Sequence, residues 1–213
     1  MGRKNIDYLL YLVTDRRWLG ERRLAGAVEE AIEGGVTVVQ LREKEIASRA
    51  FLETALAVKE VTDRHGIPLI INDRMDIAYA CKADGIHLGV DDLPISVARE
   101  ILGADKIIGA SAATLEEALA LEAEGADYLG VGAVFPTGTK TDADHVTLEQ
   151  LVKIKSSVSI PVVAIGGIDF EKADTVMETG VDGVAVVSAI MAREDIRAAA
   201  SRLIELLKAS RRR

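Results

Sequence analysis

The stretch Gln40-Leu41-Arg42-Glu43-Lys44 closes a β-branched run. In an extended chain Gln40, Arg42 and Lys44 share one side, while Leu41 and Glu43 take the other. An amide and two cations converging at a strand end suit a multiply charged anion. The same stretch also reads as a charge run salt-bridged to the next helix, because Glu43 and Glu45 alternate with the bases. Two further runs end in Ile71-Asn72-Asp73-Arg74 and in His87-Leu88-Gly89-Val90-Asp91-Asp92-Leu93-Pro94. Asp73 and Asp92 at neighbouring strand ends suit Mg2+, which takes hard oxygen ligands and keeps water and phosphate oxygens in its shell. Each alone equally suits a helix N-cap, with Pro94 placed for a first helical turn.

A second group of residues suits a phosphate monoester. Ile165-Gly166-Gly167-Ile168 permits close backbone approach, and Val187-Ser188 leads into Ala189-Ile190-Met191, a short helix before Asp195 opens the last one. Phosphate commonly sits between two such strand exits at a short helix N-terminus. The long segment from Ala133 to His145 adds Thr137, Gly138, Thr139 and Lys140, which offer hydroxyls, backbone N–H groups and a cation. Ser111 is expected to point freely at a ligand; it has no histidine near it in sequence and no nucleophile elbow. His87 is read either as an acid/base group or as a hydrogen-bonded core residue. His65, before Gly66, reads as a helix C-terminal residue.

These residues need elements to position them, and the apolar pattern supplies eight short β-branched runs. They are Tyr8–Val13, Val36–Leu41, Pro68–Ile71, Gly85–Leu88, Lys106–Ala110, Tyr128–Val131, Pro161–Ile165 and Gly183–Val187. Between them lie stretches of helical spacing, such as Ala50–Arg64, Leu115–Glu124 and Ile196–Leu207. Several runs follow a shared phrase in which a helix ends and glycine supplies a positive φ: Gly34-Gly35, Gly85, Gly125 and Gly180. Thr114 and Glu117 form a capping box. Strict alternation fits a doubly wound sheet or a barrel. Eight strands, polar exits after many of them and no glycine-rich turn after Val13 predict an α/β fold, a single (β/α)8 TIM barrel over about residues 8–208 with a short basic tail.

Composition limits the partners. The 213 residues carry a formal charge of −8, with three Phe, four Tyr and one Trp, which argues against nucleic acid. No apolar window is long enough for a membrane span, no signal peptide is evident, and the lone Cys81 excludes an intramolecular disulfide. A cytoplasmic protein acting on small molecules is expected, with a homo-oligomer left open.

The order and spacing of these motifs resemble the thiamine-phosphate synthase (thiamine-phosphate pyrophosphorylase) family over about residues 8–208. The matching stretches are Gln40–Lys44, Ile71–Arg74, Gly85–Gly89 with Asp92, Gly109–Ser111, Pro136–Lys140, Ala164–Ile168 and Val187-Ser188. The resemblance implies a Mg2+-dependent transferase. It would couple 4-amino-2-methyl-5-(diphosphooxymethyl)pyrimidine to 4-methyl-5-(2-phosphooxyethyl)thiazole, giving thiamine phosphate and diphosphate by dissociative substitution. By that likeness the stretch Gln40-Leu41-Arg42-Glu43-Lys44, with Asn72, Ser111 and Lys140, holds the pyrimidine diphosphate, and Asp73 and Asp92 ligate Mg2+. Thr137 and Thr139, flanking Gly138, with Gly167, Val187 and Ser188, hold the thiazole phosphate. Arg42, Lys44, Ser111 and Lys140 are the expected catalytic groups. Two positions depart from the family pattern: Val90 stands where Gln is usual, and Ala113 where many members carry His. The related thiazole tautomerase uses a histidine at the latter position, so it stays as the alternative, beside a non-catalytic thiazole-phosphate-binding barrel.

Overall fold

A computed structural model describes residues 6–138 and 145–212. Eight parallel strands close into a barrel in chain order: β1 (Leu10–Val13), β2 (Val38–Leu41), β3 (Leu69–Asn72), β4 (Gly85–Leu88), β5 (Ile107–Ala112), β6 (Tyr128–Val131), β7 (Val162–Ile165) and β8 (Gly183–Val186). The seam is β1 on β8, with Tyr11 opposite Ala185. Around the barrel run α1 (Leu24–Glu33), α2 (Ser48–His65), α3 (Met75–Ala80), α4 (Ile95–Leu102), α5 (Leu115–Glu124), α6 (Leu148–Ser157), α7 (Ala173–Met177), the short α8 (Ser188–Met191) and α9 (Ile196–Arg211). This is the expected (β/α)8 barrel, with strand ends within two residues of those read from the sequence.

Strand alternation sorts the core into two layers. Leu10, Leu12, Val39, Leu41, Ile71 and Ile86 face outward and pack with the helices, while Tyr11, Val38, Ile70, Tyr128, Val163 and Ala185 fill the barrel interior. Burial of both faces is why the strands read as continuous apolar runs and not as alternating ones. The helix starts follow local chemistry. Thr114 and Glu117 form the expected capping box on α5, Thr147 and Gln150 a second on α6, and the Asp195 side chain caps α9.

One glycine reading is corrected. Gly35, Gly125 and Gly180 take positive φ as expected, whereas Gly85 opens β4, and Lys82 (φ 55°) makes the left-handed turn before it. The reason for a glycine at 85 is contact: a Cβ there would lie 2.2 Å from the Ile107 carbonyl oxygen.

Candidate active site

The C-terminal ends of β1 to β5 gather one set of polar groups. Gln40 points into the barrel, 5% exposed, and its Nε2 donates to Tyr11 Oη at 3.0 Å; Leu41, its neighbour, faces the helices. Beyond the strand, the Arg42 backbone N–H donates to Thr14 Oγ1 at 3.1 Å. Glu43 is taken by Arg16, whose Nε and Nη2 donate to its carboxylate at 2.7–3.0 Å. Asp15 pairs with Arg17 at 2.6 Å. Burial pushes the Asp15 carboxyl up, but hydrogen bonds from Arg17 and the charges of Arg17 and Arg42 outweigh it and hold the group below the usual range. Arg42 itself makes no ion pair among the described residues, so the acids that alternate with the bases in sequence do not neutralise it.

Lys44 Nζ donates to Asp73 Oδ2 at 2.5 Å, tying the exits of β2 and β3. Neither predicted metal ligand caps a helix: the N-cap positions are Arg74 for α3 and Pro94 for α4, neither with a capping side chain. Asp73 instead holds a left-handed φ of 59°, and its N–H donates to the His87 carbonyl at 2.9 Å. The Asp92 carboxylate accepts the Gly89 N–H at 2.6 Å, with the Asp73 carboxyl near enough to act on it. Burial pushes the Asp92 carboxyl up; the Gly89 N–H opposes this, and the Asp73 carboxyl adds to it. Among the described residues no third His, Cys, Asp or Glu joins the pair. Two adjacent, partly desolvated carboxylates fit Mg2+, whose remaining positions water and phosphate oxygens fill.

On the other side of the mouth, β7 and the segment after β6 are zipped together. The N–H groups of Val134 and Phe135 donate to the carbonyls of Ile165 and Gly166 at 3.0 and 3.1 Å. Gly166 and Gly167 have φ of 104° and 61°, and a Cβ on Gly167 would lie 2.5 Å from the Pro136 carbonyl oxygen. Thr137 and Gly138 follow Pro136 at this contact with the exit of β7, and Val187 and Ser188 lie at the exit of the neighbouring strand β8. Thr139 and Lys140 lie outside the described residues.

With this geometry in view, the sequence profile described as thiamine monophosphate synthase matches residues 10–190. The chain belongs to the thiamine monophosphate synthase family. Thiamine-phosphate synthesis, a transferase activity of thiamine biosynthesis, is its function. A thiamine-phosphate synthase of Clostridium acetobutylicum is 57% identical over 205 residues, covering 96% of this chain and 97% of the relative. A thiamine phosphate pyrophosphorylase of Pyrococcus furiosus with a solved structure is 46% identical, with a TM-score of 0.89 over 96% of this chain and 97% of its own. The (S)-3-O-geranylgeranylglyceryl phosphate synthase of Thermoplasma acidophilum, 20% identical with a TM-score of 0.73 over 96% of this chain and 94% of its own, shares the fold.

Within this family member one sequence expectation fails. Ser111 is not free: its Oγ lies 3.0 Å from His87 Nε2. His87 is the hydrogen-bonded core residue of the two readings, with Nδ1 2.9 Å from Tyr128 Oη. Sequence reading missed Tyr11 and Tyr128, because a tyrosine in an apolar strand carries no local sign of its partner. Val90, where the family pattern differs, is 76% exposed. No helix among the described residues is long and apolar enough to cross a membrane.

Proposed function

We propose that the barrel mouth binds the pyrimidine diphosphate over β2–β5 and the thiazole phosphate over β6–β8, and joins them with Mg2+ present. The observation that carries this reading is the Asp73–Asp92 pair beside Lys44, across the mouth from the Gly166-Gly167 exit and the Thr137 segment. Gln40, Asn72 and Ser111 orient the pyrimidine diphosphate, and Arg42 and Lys44 face its charge. Thr137, Gly138, Gly167, Val187 and Ser188 hold the thiazole phosphate. Thr139 and Lys140, next in the chain, are assigned from sequence alone.

In the reaction the bond from the pyrimidine methylene to the diphosphate oxygen breaks, and the thiazole nitrogen bonds to that methylene carbon. Arg42, Lys44 and Ser111 stabilise charge on the departing diphosphate, and the bound substrates themselves keep water from the electron-poor methylene. Asp73 and Asp92 would hold Mg2+, which supplies Lewis-acid stabilisation of the leaving group. No nucleophilic side chain is required, which suits a site whose serine is already engaged by His87.

The test measures diphosphate release from both substrates with and without Mg2+, and thiazole-phosphate binding by calorimetry, on wild type and Asp92→Ala. Wild type is expected to turn over only with Mg2+. Asp92→Ala is expected to lose at least about 100-fold in turnover, in line with several kcal/mol of charge stabilisation, and to bind thiazole phosphate as before. No diphosphate release from wild type in either condition overturns the reading; full activity in Asp92→Ala removes that residue as a ligand.

A further inference from the structure

Five polar side chains of the barrel interior form a connected file, with Gln40 near both tyrosine hydroxyls. Gln40 Nε2 donates to Tyr11 Oη at 3.0 Å, and Tyr11 Oη lies 2.7 Å from Tyr128 Oη. Tyr128 Oη lies 2.9 Å from His87 Nδ1, and His87 Nε2 lies 3.0 Å from Ser111 Oγ. The file crosses from β2 to β5, and both its ends are residues assigned above to the pyrimidine diphosphate. Tyr11 and Tyr128 are each 1% exposed, so neither hydroxyl can exchange its partner for bulk water.

The strands are cut to admit these rings. A Cβ on Gly109, the register partner of Tyr128, would lie 2.1 Å from Tyr128 Cζ, and one on Gly130 would lie 3.0 Å from His87 Cε1. Glycine at both positions therefore holds the tyrosine and the imidazole in one place.

Counting protons gives the file a direction. A tyrosine hydroxyl has a single proton to give. Tyr11 accepts from Gln40. Were Tyr128 to donate to it as well, the buried Tyr11 proton would have no acceptor in the file. The polarity that uses every proton therefore runs from Tyr11 to Tyr128 and from Tyr128 to His87 Nδ1. The neutral imidazole then carries its proton on Nε2 and gives it to Ser111 Oγ. Ser111 keeps its own O–H, which the file does not use.

We propose that Tyr11, Tyr128 and His87 are positioning residues that hold Ser111 as an obligate hydrogen-bond donor toward an acceptor-only oxyanion of the substrate. The inference rests on the placement of Gln40 and Ser111 at the pyrimidine diphosphate. It makes the site select a group that only accepts, such as a diphosphate oxygen, over a hydroxyl that must also donate. It also couples two residues on different strands that do not touch.

The chain has three histidines, so nitrogen NMR of histidine-labelled protein can resolve His87, assigned with His87→Gln. Wild type is expected to show His87 neutral with the proton on Nε2, and Tyr128→Phe a mixture of tautomers. In steady state, Tyr128→Phe is expected to raise the pyrimidine diphosphate KM about tenfold, the effect of one lost buried hydrogen bond, with the thiazole phosphate KM unchanged. Gln40→Met and Ser111→Ala are expected to combine to less than the product of their effects in wild type, and to the full product in Tyr128→Phe. Should Tyr128→Phe not fold, Tyr11→Phe cuts the file one link earlier and is expected to abolish the same coupling. A proton on His87 Nδ1 in wild type, or multiplicative effects of Gln40→Met and Ser111→Ala there, overturns the proposal and leaves the site assignment standing. Unchanged pyrimidine KM in both single variants overturns the site assignment itself, and this proposal with it.

Discussion

Asp73 combines a charge with a backbone demand, and the two can be separated. A φ of 59° places its Cβ against its own backbone, at a cost of about 1–2 kcal/mol for most residues and less for Asp and Asn. That turn sits where the Asp73 N–H meets the His87 carbonyl, the Lys44 ammonium reaches its carboxylate, and Asp92 stands alongside. Asp73→Asn is therefore expected to keep stability within about 0.5 kcal/mol of wild type in urea titrations while losing Mg2+-dependent turnover. Asp73→Ala is expected to lose turnover and also about 1 kcal/mol of stability. Equal stability of the two variants would show that the left-handed turn carries no cost. At this scale the carboxylates and cations of the mouth were legible from their positions after β-branched runs. Their partners were not: the run read as salt-bridged to the next helix, whereas Glu43 pairs with Arg16 and Lys44 with Asp73, residues of other strand exits.

Strands and helices were legible where the signal is local. Thr114 with Glu117 marks a helix start within four residues, and β-branched runs mark strands whose two faces are both buried. The barrel interior was illegible because its contacts are remote: Tyr11 and Tyr128 are 117 positions apart and meet only when the sheet closes. Glycines show the same division. Gly125 ends α5 with a φ of 98°, as the helix-ending phrase suggests, whereas Gly85 and Gly109 are glycine for the sake of a neighbouring strand. Gly109→Ala is expected to overpack against Tyr128, cost about 1–3 kcal/mol in denaturant titration, and raise the pyrimidine diphosphate KM by displacing that ring. Gly26, exposed within α1 with no atom within 4 Å of a modest Cβ, supplies the contrast. Gly26→Ala is expected to stabilise by about 0.5–1 kcal/mol with unchanged kinetics. A Gly109→Ala protein as stable and active as wild type would mean that β5 yields to the added methyl.

A net charge of −8 tells against a surface for polyanions, but it does not describe each end of the barrel. Asp7, Asp63 and Asp84, which line a cavity at the end opposite the mouth, are paired with Arg211 and Lys59, while Arg42 stands at the mouth without an ion-pair partner among the described residues. In the proposed site, ligands bind at the end where every strand exits, and the eight strands are latched together by the β1–β8 seam. Their binding must then oppose opening of the whole barrel. The chain's one cysteine can report this. Cys81 follows α3, is 3% exposed, and burial pushes its thiol above the usual range, so the native protein should resist alkylation. Labelling would then follow the unfolded population. A ligand at 100 times its Kd should lower that population by about 2.7 kcal/mol, roughly 100-fold. Mg2+ with the pyrimidine diphosphate, and separately thiazole phosphate, are each expected to slow Cys81 alkylation by that order. In Asp92→Asn the Mg2+-dependent slowing should vanish while the thiazole-phosphate effect persists. Rapid alkylation of the native protein, indifferent to both ligands, would show that α3 opens on its own and that the mouth does not latch the barrel.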